Sequence, residues 1–340
     1  MLDSFQLNSR VNLPIEGTFE SAFARAARSL RGHMWTVTPF LQDTFRAPLR
    51  TLGRPFRATL QDPLMGTVRL TGTLDEPADA KSLLLIVHGY GGSANSSQCI
   101  AMARAAHKAG VASLRLSLRG ADLSGDDIYH GGLTADLEAA LASPELRGYQ
   151  RVMVAGYSVG GCIAFRAALD HIDPRIRSVA AICSPLDLAA GADEFDRPSR
   201  SIYRNHVFGN LNRVYAATDA RRPLPVPVEV VRKARTVRER DELAVVPRFG
   251  FGSADEYYQR IQVCDQLHLL DIPSLYVASQ NDPVVPFWTV RNAIANASSA
   301  LTVASFDDGG HMCFPDHLHL GQAARTGLEN QVVEWLVNHQ

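Results

Sequence analysis

The chain of 340 residues has almost no net charge and no long apolar run. Its 34 Lys and Arg nearly balance 35 Asp and Glu, so no long-range field draws it to nucleic acid or to an acidic membrane. No apolar stretch approaches membrane-spanning length, and the first ten residues lack the basic and apolar parts of a secretion signal. We therefore expect a cytoplasmic protein with no nucleic-acid partner and no integral membrane segment, acting on a small neutral or amphiphilic molecule.

The chain also lacks the usual signs of disulfides and metal sites. It has five cysteines, an odd number, with no CxxC pair and mostly apolar neighbours, which is typical of reduced, buried thiols. His317 and His319 form an HxH pair without Cys or Glu at ligand spacing, and such a pair usually belongs to a surface segment. We therefore predict no metal site.

The most informative motif is Gly156–Gly160, which reads Gly-Tyr-Ser-Val-Gly. It follows an apolar run, 151–155, and leads into a helix-like run, 161–169, so Ser158 falls on a strand-to-helix corner. Glycines two positions either side of a serine allow the tight turn of a nucleophile elbow, where a Cβ would collide with the neighbouring strand or helix. Serine also favours helix N-caps, but that alternative leaves the flanking glycines unexplained. We predict Ser158 to be a catalytic nucleophile.

A catalytic serine needs a base and an acid, and the chain offers both in the order Ser, acid, His. Asp282 follows the strand-like run 274–278, at the edge of a parallel sheet where ligand chemistry occurs. His311 follows another strand-like run, 301–306, and two glycines. His311 is predicted to remove the serine proton, and Asp282 to fix the tautomer of the imidazole. Asp307 and Asp308 are rival acids, but they lie too close in sequence to His311 to come from a separate strand end.

A glycine-rich loop, His88–Ser93, follows the apolar run 82–87. Loops of this kind offer backbone N–H groups to the negative oxygen of a tetrahedral intermediate. We predict an oxyanion hole formed by the N–H groups of Tyr90 and Val159. His88 itself is expected to be structural. This chemistry needs no cofactor.

From residue 56 onward the pattern predicts an α/β fold, namely an α/β-hydrolase fold with a doubly wound, mostly parallel sheet. Two β-rich runs, 56–60 and 67–73, predict an opening hairpin. Near-continuous apolar strands then alternate with helices, which indicates parallel strands and right-handed crossovers. The predicted N-terminal arm is residues 1–55 and contains an amphipathic helix at Glu20–Leu30. The predicted core has two parts, residues 56–184 and 266–340, and the lid inserted between them is residues 185–265.

Within the predicted lid, periodicity breaks down and several prolines occur. An insertion at this point lies over the catalytic end of the sheet and shapes the substrate pocket. Basic residues alternate there with acidic ones, which favours a solvated helix face over a binding patch. The basic residues are Arg232, Lys233, Arg235, Arg238 and Arg240.

Short motifs are spread along the chain: Gly32-His33, His88-Gly89 with Gly92-Ser93, Arg119-Gly120, residues 129–132, 156–161, 236–258 and 309–311. Together they resemble one branch of the α/β-hydrolases, the YheT-like branch, which also contains embryogenesis-associated and abhydrolase-domain esterases and phospholipases. The matches outside the elbow make the resemblance specific. The likeness runs through most of the chain. It implies a carboxylester hydrolase acting on acyl esters or lipid-like acyl groups, with the same Ser158, Asp282 and His311. Two departures concern pocket detail: Met34-Trp35-Thr36 after Gly32-His33, where the branch usually has Leu-Gln-Thr, and Gly91, where relatives often carry a charge.

The sequence thus predicts a serine carboxylesterase, a hydrolase that forms an acyl-enzyme on Ser158 and takes a small acyl ester as substrate. Two alternatives stay open: an acyltransferase that uses the same acyl-enzyme, and a non-catalytic binding member of the fold. The sequence leaves the oligomeric state undetermined. Five apolar residues near the predicted site are candidates for an acyl pocket, although ordinary core packing is an equal alternative for each. They are Tyr90, Phe287, Trp288, Met312 and Phe314.

Overall fold

The computed structural model describes residues 6–8, 29–37 and 52–340. Most of the predicted helix Glu20–Leu30 lies outside these ranges. The described residues form one nine-stranded sheet in the order β1-β9-β8-β7-β6-β4-β5-β3-β2. The strands are β1 Gln6–Asn8, β2 Arg54–Asp62, β3 Gly66–Asp75, β4 Ser82–Val87, β5 Ala112–Ser117, β6 Arg151–Tyr157, β7 Ile176–Ile182, β8 Ser274–Ser279 and β9 Leu301–Phe306.

Six neighbouring strands, from β9 to β5, run parallel, and the antiparallel pairs lie at the two edges. The predicted hairpin is β2 with β3, paired from Arg54 with Leu74 to Asp62 with Gly66. In β4, Leu83 and Leu85 face one apolar cluster while Leu84 and Ile86 face the other. Because both faces are covered, β4 is a continuous apolar run. The predicted doubly wound, mostly parallel sheet is confirmed.

Helices cover both faces of this sheet. One face packs against α3, α4 and α10, and the other against α2 and α11. Residues 29–37 are helical and form α1. The others are α2 Ser97–Lys108, α3 Ala135–Leu141, α4 Val159–Leu169, α5 Leu188–Phe195, α6 Ser201–Arg221, α7 Val228–Val231, α8 Val237–Phe249, α9 Ala254–Ile261, α10 Phe287–Ala295 and α11 Leu328–Asn338.

The chain leaves the sheet after β7 and returns at β8, and helices α5 to α9 fill this interval. Tyr257, Tyr258 and Ile261 of α9 are buried in the same apolar cluster as the sheet. The insertion therefore packs directly on the core. The boundaries of the four predicted units stay a prediction.

A buried ion network ties the insertion to the core. Arg119, which follows β5, contacts Asp136 of α3 at 2.6 Å and Asp127 at 3.1 Å. Arg248 of α8 contacts Asp127 at 2.5 Å and Asp62 of the hairpin at 3.0 Å. The side chains of Arg119 and Arg248 are almost completely buried. Because buried charges are tolerated only when paired, this network fixes α8 against the hairpin and the sheet.

Two findings bear on what the sequence lacks. Within the described ranges, no helix is both long and apolar enough to cross a bilayer. No disulfide joins the five cysteines, all of which lie in the described part of the chain.

Replacing Arg119 by Met is expected to lower the free energy of unfolding by roughly 3–5 kcal/mol, because it leaves buried carboxylates without their cation. The same change at the exposed Arg232, which pairs only with Glu229 at the surface, is expected to cost about 0–1 kcal/mol. Urea unfolding of both variants measures the difference. Equal losses would contradict a stabilising role for the buried network.

Candidate active site

Ser158 stands at the corner between β6 and α4, with φ 51° and ψ −127°. A Cβ on Gly156 would lie 2.0 Å from the Gly160 carbonyl oxygen. A Cβ on Gly160 would lie 2.5 Å from the carbonyl oxygens of Val87 and His88 at the end of β4. Only glycine fits at either position, because real Cβ atoms do not approach backbone so closely. The corner has the tight geometry that the sequence predicts.

The alternative role of Ser158, as an ordinary helix cap, does not match its contacts. Ser158 occupies the N-cap position of α4 but makes no side-chain capping hydrogen bond to that described helix. An N-cap residue normally has extended backbone angles, whereas Ser158 has a positive φ. Strain of this kind at a non-glycine residue costs of order 1–3 kcal/mol and concentrates at functional sites.

His311 and Asp282 form a buried pair. Nδ1 of His311 donates to Oδ2 of Asp282 at 2.8 Å. The other carboxylate oxygen, Oδ1, accepts hydrogen bonds from the backbone N–H groups of Val284 and Val285 at 2.7 and 2.9 Å. Both oxygens of Asp282 are thereby fixed in direction. Since a carboxylate only accepts, the pair places the proton on Nδ1 and leaves Nε2 as the basic nitrogen.

The two rival acids are placed differently. Asp308 contacts Arg31 at 2.8 Å, near the surface. Asp307 accepts a hydrogen bond through its backbone carbonyl, from the side chain of Asn281. Of the three acids considered from the sequence, Asp282 is the one that is hydrogen-bonded to His311.

Ser158 and His311 line one cavity of about 1790 Å³, which opens at the carboxyl edge of the sheet. Within the described residues, no hydrogen bond joins the two side chains. In structures without substrate, hydrogen bonds between catalytic groups are often long and tighten only in the substrate complex. The structure therefore brings the hydroxyl and the imidazole to the same cavity without closing their contact.

The predicted oxyanion loop lies against the elbow. A Cβ on Gly89 would be 3.1 Å from Cβ of Ser158, a tight approach that places this loop directly beside the serine. Val159 is the first residue of α4, and its N–H has no acceptor within the helix. The loop is held by Tyr129, whose hydroxyl accepts from the Gly91 N–H at 2.8 Å. Tyr90 follows Gly89 and lines the same cavity.

His88 plays the structural role that the sequence predicts. Its Nε2 accepts a hydrogen bond from the Leu118 N–H at 3.1 Å, and its Nδ1 donates to the Gly89 carbonyl at 2.8 Å. An imidazole that accepts at one nitrogen is neutral. Burial lowers the pKa of His88 to about 4, which agrees with this arrangement. His88 thus joins the oxyanion loop to the strand β5 side of the sheet.

The candidates for the acyl pocket divide into two groups. Tyr90, Met312 and Phe314 line the cavity. Phe287 and Trp288 do not belong to its lining, and the structure corrects the prediction for both. They begin α10, where Phe287 packs against the core and Trp288 is 57% exposed, with the guanidinium of Arg197 6.0 Å from the centre of its ring. Closeness to Asp282 in sequence does not bring either side chain into the cavity lining.

Sequence reasoning missed the contribution of α1. Oγ1 of Thr36 accepts a hydrogen bond from the His311 backbone N–H at 2.9 Å and donates to the Gly32 carbonyl at 2.8 Å. A Cβ on Gly32 would lie 1.8 Å from the carbonyl oxygen of Asn281, next to Asp282. The helix α1 therefore touches the loops of both the acid and the base. The only sequence signal was the pair Gly32-His33, quoted for the family resemblance.

Cys183 was also missed as a neighbour of the site. Its Sγ, a carboxylate oxygen of Asp282 and a ring nitrogen of His311 lie within 4.8 Å of one another. Burial raises the pKa of the Cys183 thiol well above its usual range, and its Sγ lies 3.7 Å from the Gly310 carbonyl, to which it donates. A cysteine binds zinc through its deprotonated thiolate. A protonated thiol beside a hydrogen-bonded Asp–His pair fits packing better than metal binding.

Comparison with known proteins agrees with this architecture. The family model of the alpha/beta hydrolase fold matches residues 82–318. The chain is 26% identical to the protein named "Putative esterase YheT" of Escherichia coli over 323 residues, which cover 90% of each chain. The resemblance to the YheT-like branch is confirmed.

More distant relatives include the monoacylglycerol lipase of Saccharomyces cerevisiae, 27% identical over 61% of this chain and 49% of that protein. The yeast medium-chain fatty acid ethyl ester synthase/esterase 2 is 22% identical over 69% of this chain and 58% of that protein. Among solved structures, an esterase of Pyrococcus furiosus matches with a TM-score of 0.48 and 17% identity, covering 78% of this chain and 89% of that chain.

Replacing Thr36 by Val is expected to slow covalent labelling of Ser158 by a fluorophosphonate by about 10- to 100-fold, because the His311 N–H loses its acceptor in a buried place. Thr36→Ser keeps the hydroxyl and is expected to label at nearly the normal rate. Labelling is followed by intact-protein mass spectrometry at matched concentrations. Normal labelling of the Val variant would show that α1 does not position His311.

Proposed function

The chain belongs to the α/β-hydrolase family, and from this premise we propose that it is a serine carboxylesterase, which forms an acyl-enzyme on Ser158 and releases it with water. The observation that carries the proposal is the His311–Asp282 pair, which lies at the same cavity as a strained serine on a nucleophile elbow. Catalysis of this kind depends on the geometry of the groups and not on the fold alone.

In the proposed reaction, the imidazole of His311 removes the hydroxyl proton of Ser158 through Nε2 as the oxygen attacks the ester carbonyl. Asp282 stabilises the imidazolium that forms and keeps the proton of Nδ1 in place without taking it. His311 then gives the proton to the leaving alcohol. In the second half, His311 removes a proton from water as the water oxygen attacks the acyl carbon. The bond between the acyl carbon and Oγ of Ser158 then breaks, and His311 returns the proton to Oγ, which releases the carboxylic acid and restores the free enzyme.

The negative oxygen of each tetrahedral intermediate is proposed to accept from the N–H groups of Tyr90 and Val159. The contact between the Gly89 backbone and Ser158 supports this assignment, because it sets the loop beside the reacting carbon. In comparable enzymes, losing one such donor costs about 3–4 kcal/mol of transition-state stabilisation.

The cavity supports a substrate with a sizeable acyl group. Its volume, about 1790 Å³, exceeds the roughly 300–1,000 Å³ of most small-molecule pockets. Met312 and Phe314 are joined in its lining by Leu188, Val207 and Phe208 of the insertion. The names of the yeast relatives, a monoacylglycerol lipase and a fatty acid ethyl ester synthase/esterase, point the same way. We therefore propose acyl esters, including lipid-like ones, as substrates.

An acyltransferase remains the second candidate, because one relative is named both synthase and esterase. The two reactions share the acyl-enzyme and differ only in the acceptor, water or an alcohol. Product analysis with and without added ethanol separates them. A third alternative, a binding protein that keeps the hydrolase fold, is tested by turnover of a generic 4-nitrophenyl ester.

Replacing Ser158 by Ala is expected to abolish hydrolysis of 4-nitrophenyl esters and fluorophosphonate labelling, because no other group takes the place of the nucleophile. The thermal midpoint should stay the same or rise, since alanine removes no capping hydrogen bond. A matched control is Ser143→Ala, which changes a buried serine that does not belong to the cavity lining. Turnover by Ser158→Ala at the normal rate would refute the nucleophile.

A further inference from the structure

Arg240 is the feature of the cavity that the proposed chemistry does not use. Arg240 lies on α8 and is only 6% exposed. It lines the same cavity as Ser158 and His311. The alternation of charges in this region predicted a solvated helix face. That prediction is wrong for Arg240, although it describes Arg232, whose side chain is exposed at the surface. A buried cation thus forms part of the cavity lining.

Within residues 29–37 and 52–340, no carboxylate forms an ion pair with the guanidinium of Arg240. Among the described residues, its side chain makes no hydrogen bond and no ion pair, and its Nε is buried without a partner. The neighbouring Asp241 points elsewhere, because adjacent residues on a helix do not face each other. The carboxylate of Asp241 accepts from the hydroxyl of Tyr258 at 2.8 Å. Asp241 therefore supplies a nearby negative charge but does not bind the guanidinium.

The hydroxyl groups near Arg240 are also engaged elsewhere. Tyr90, Tyr129 and Tyr215 lie within electrostatic range of Arg240. The Tyr90 hydroxyl bonds to that of Tyr257 at 3.1 Å, and the Tyr215 hydroxyl donates to a backbone carbonyl at 2.6 Å. The Tyr129 hydroxyl accepts from the oxyanion loop. Each of the three tyrosines has another partner, and among the described residues none of them accepts a hydrogen bond from the guanidinium.

A buried guanidinium without a counter-ion lowers the stability of the folded protein. A guanidinium stays protonated even when buried, and removing an unpaired charge from water costs several kcal/mol. Arg240 also stands in the first turns of α8, where the helix dipole disfavours a cation. Residues that break these rules without compensation in the free protein are expected at functional sites. An anion in the cavity would supply the missing partner.

We propose that Arg240 binds an anionic group of the substrate, a carboxylate or a phosphate carried by the ester away from the bond that is cleaved. This inference rests on the proposed function, and it narrows the substrate class to esters that are amphiphilic and negatively charged. The planar guanidinium suits both groups, because it can donate two parallel hydrogen bonds to a pair of oxygens.

The test compares matched pairs of esters that differ only in charge. The carboxylate pair is 4-nitrophenyl hydrogen adipate against 4-nitrophenyl methyl adipate. The phosphate pair is 1-oleoyl-glycerol 3-phosphate against 1-oleoyl-glycerol. The ratio of kcat/KM for the charged and neutral members is measured for the wild-type protein and for Arg240→Met, Arg240→Lys and Arg232→Met. The last variant loses the same charge at the surface.

In Arg240→Met, we expect the ratio to fall about 10- to 100-fold for at least one pair, which is the usual effect of losing a hydrogen bond to a charged group. The pair that responds identifies the anion. Arg240→Lys should keep part of the preference and Arg232→Met all of it. The rate on the neutral esters should change little, and the thermal midpoint of Arg240→Met should be equal or higher.

The inference is overturned if the ratio is unchanged for both pairs. If both members of each pair lose activity equally and the thermal midpoint falls as well, Arg240 acts through stability and not through an anion. If the wild-type protein hydrolyses none of the four esters, the proposed function itself fails. Binding is then measured without turnover, from the thermal shift that decanoate and decyl phosphate cause in Ser158→Ala. A shift that disappears in Ser158→Ala/Arg240→Met supports the anion site, and no shift with either anion refutes it.

Discussion

The site depends on one steric constraint, the contact between the backbones of β4, β6 and α4. The N-terminus of α4 approaches the end of β4 so closely that Gly160 has no room for a side chain, and Gly156 meets the next turn of the chain in the same way. This contact forces the positive φ of Ser158. It also brings the loop after β4 beside the serine. The same backbone contact therefore positions the candidate nucleophile and the candidate oxyanion donors.

The rest of the site is built by elements that are distant in sequence. The acid follows β8, the base follows β9, and α1, near the start of the chain, holds the backbone of the base through Thr36. The insertion closes the opposite side and is fixed to the core by Arg248. Each of these elements is anchored to the core or to the loops of the site, and Arg240 of the insertion lines the cavity that they form.

The sequence was sufficient for the features that follow from local rules. Apolar strands alternating with helices predicted the doubly wound sheet, and the positions of Asp282 and His311 after neighbouring strands predicted their pairing. Features that depend on the packing of irregular segments were not accessible. The alternation of charges around Arg240 does not reveal that this residue is buried. The residues around Trp288 do not reveal that its side chain is exposed. The hydroxyl of Thr36 contacts His311, which is 275 residues away in the sequence. A hydrophobic pattern cannot predict such a contact.

The central claim is that an acyl group passes through the oxygen of Ser158. It is tested most directly by stopping the reaction with a 4-nitrophenyl ester in acid within the first turnover and mapping the protein by peptide mass spectrometry. The account predicts one added acyl mass, on the peptide that contains Ser158, appearing together with a burst of nitrophenol. Rapid turnover with no acylated peptide, or with the acyl group on another residue, would contradict it.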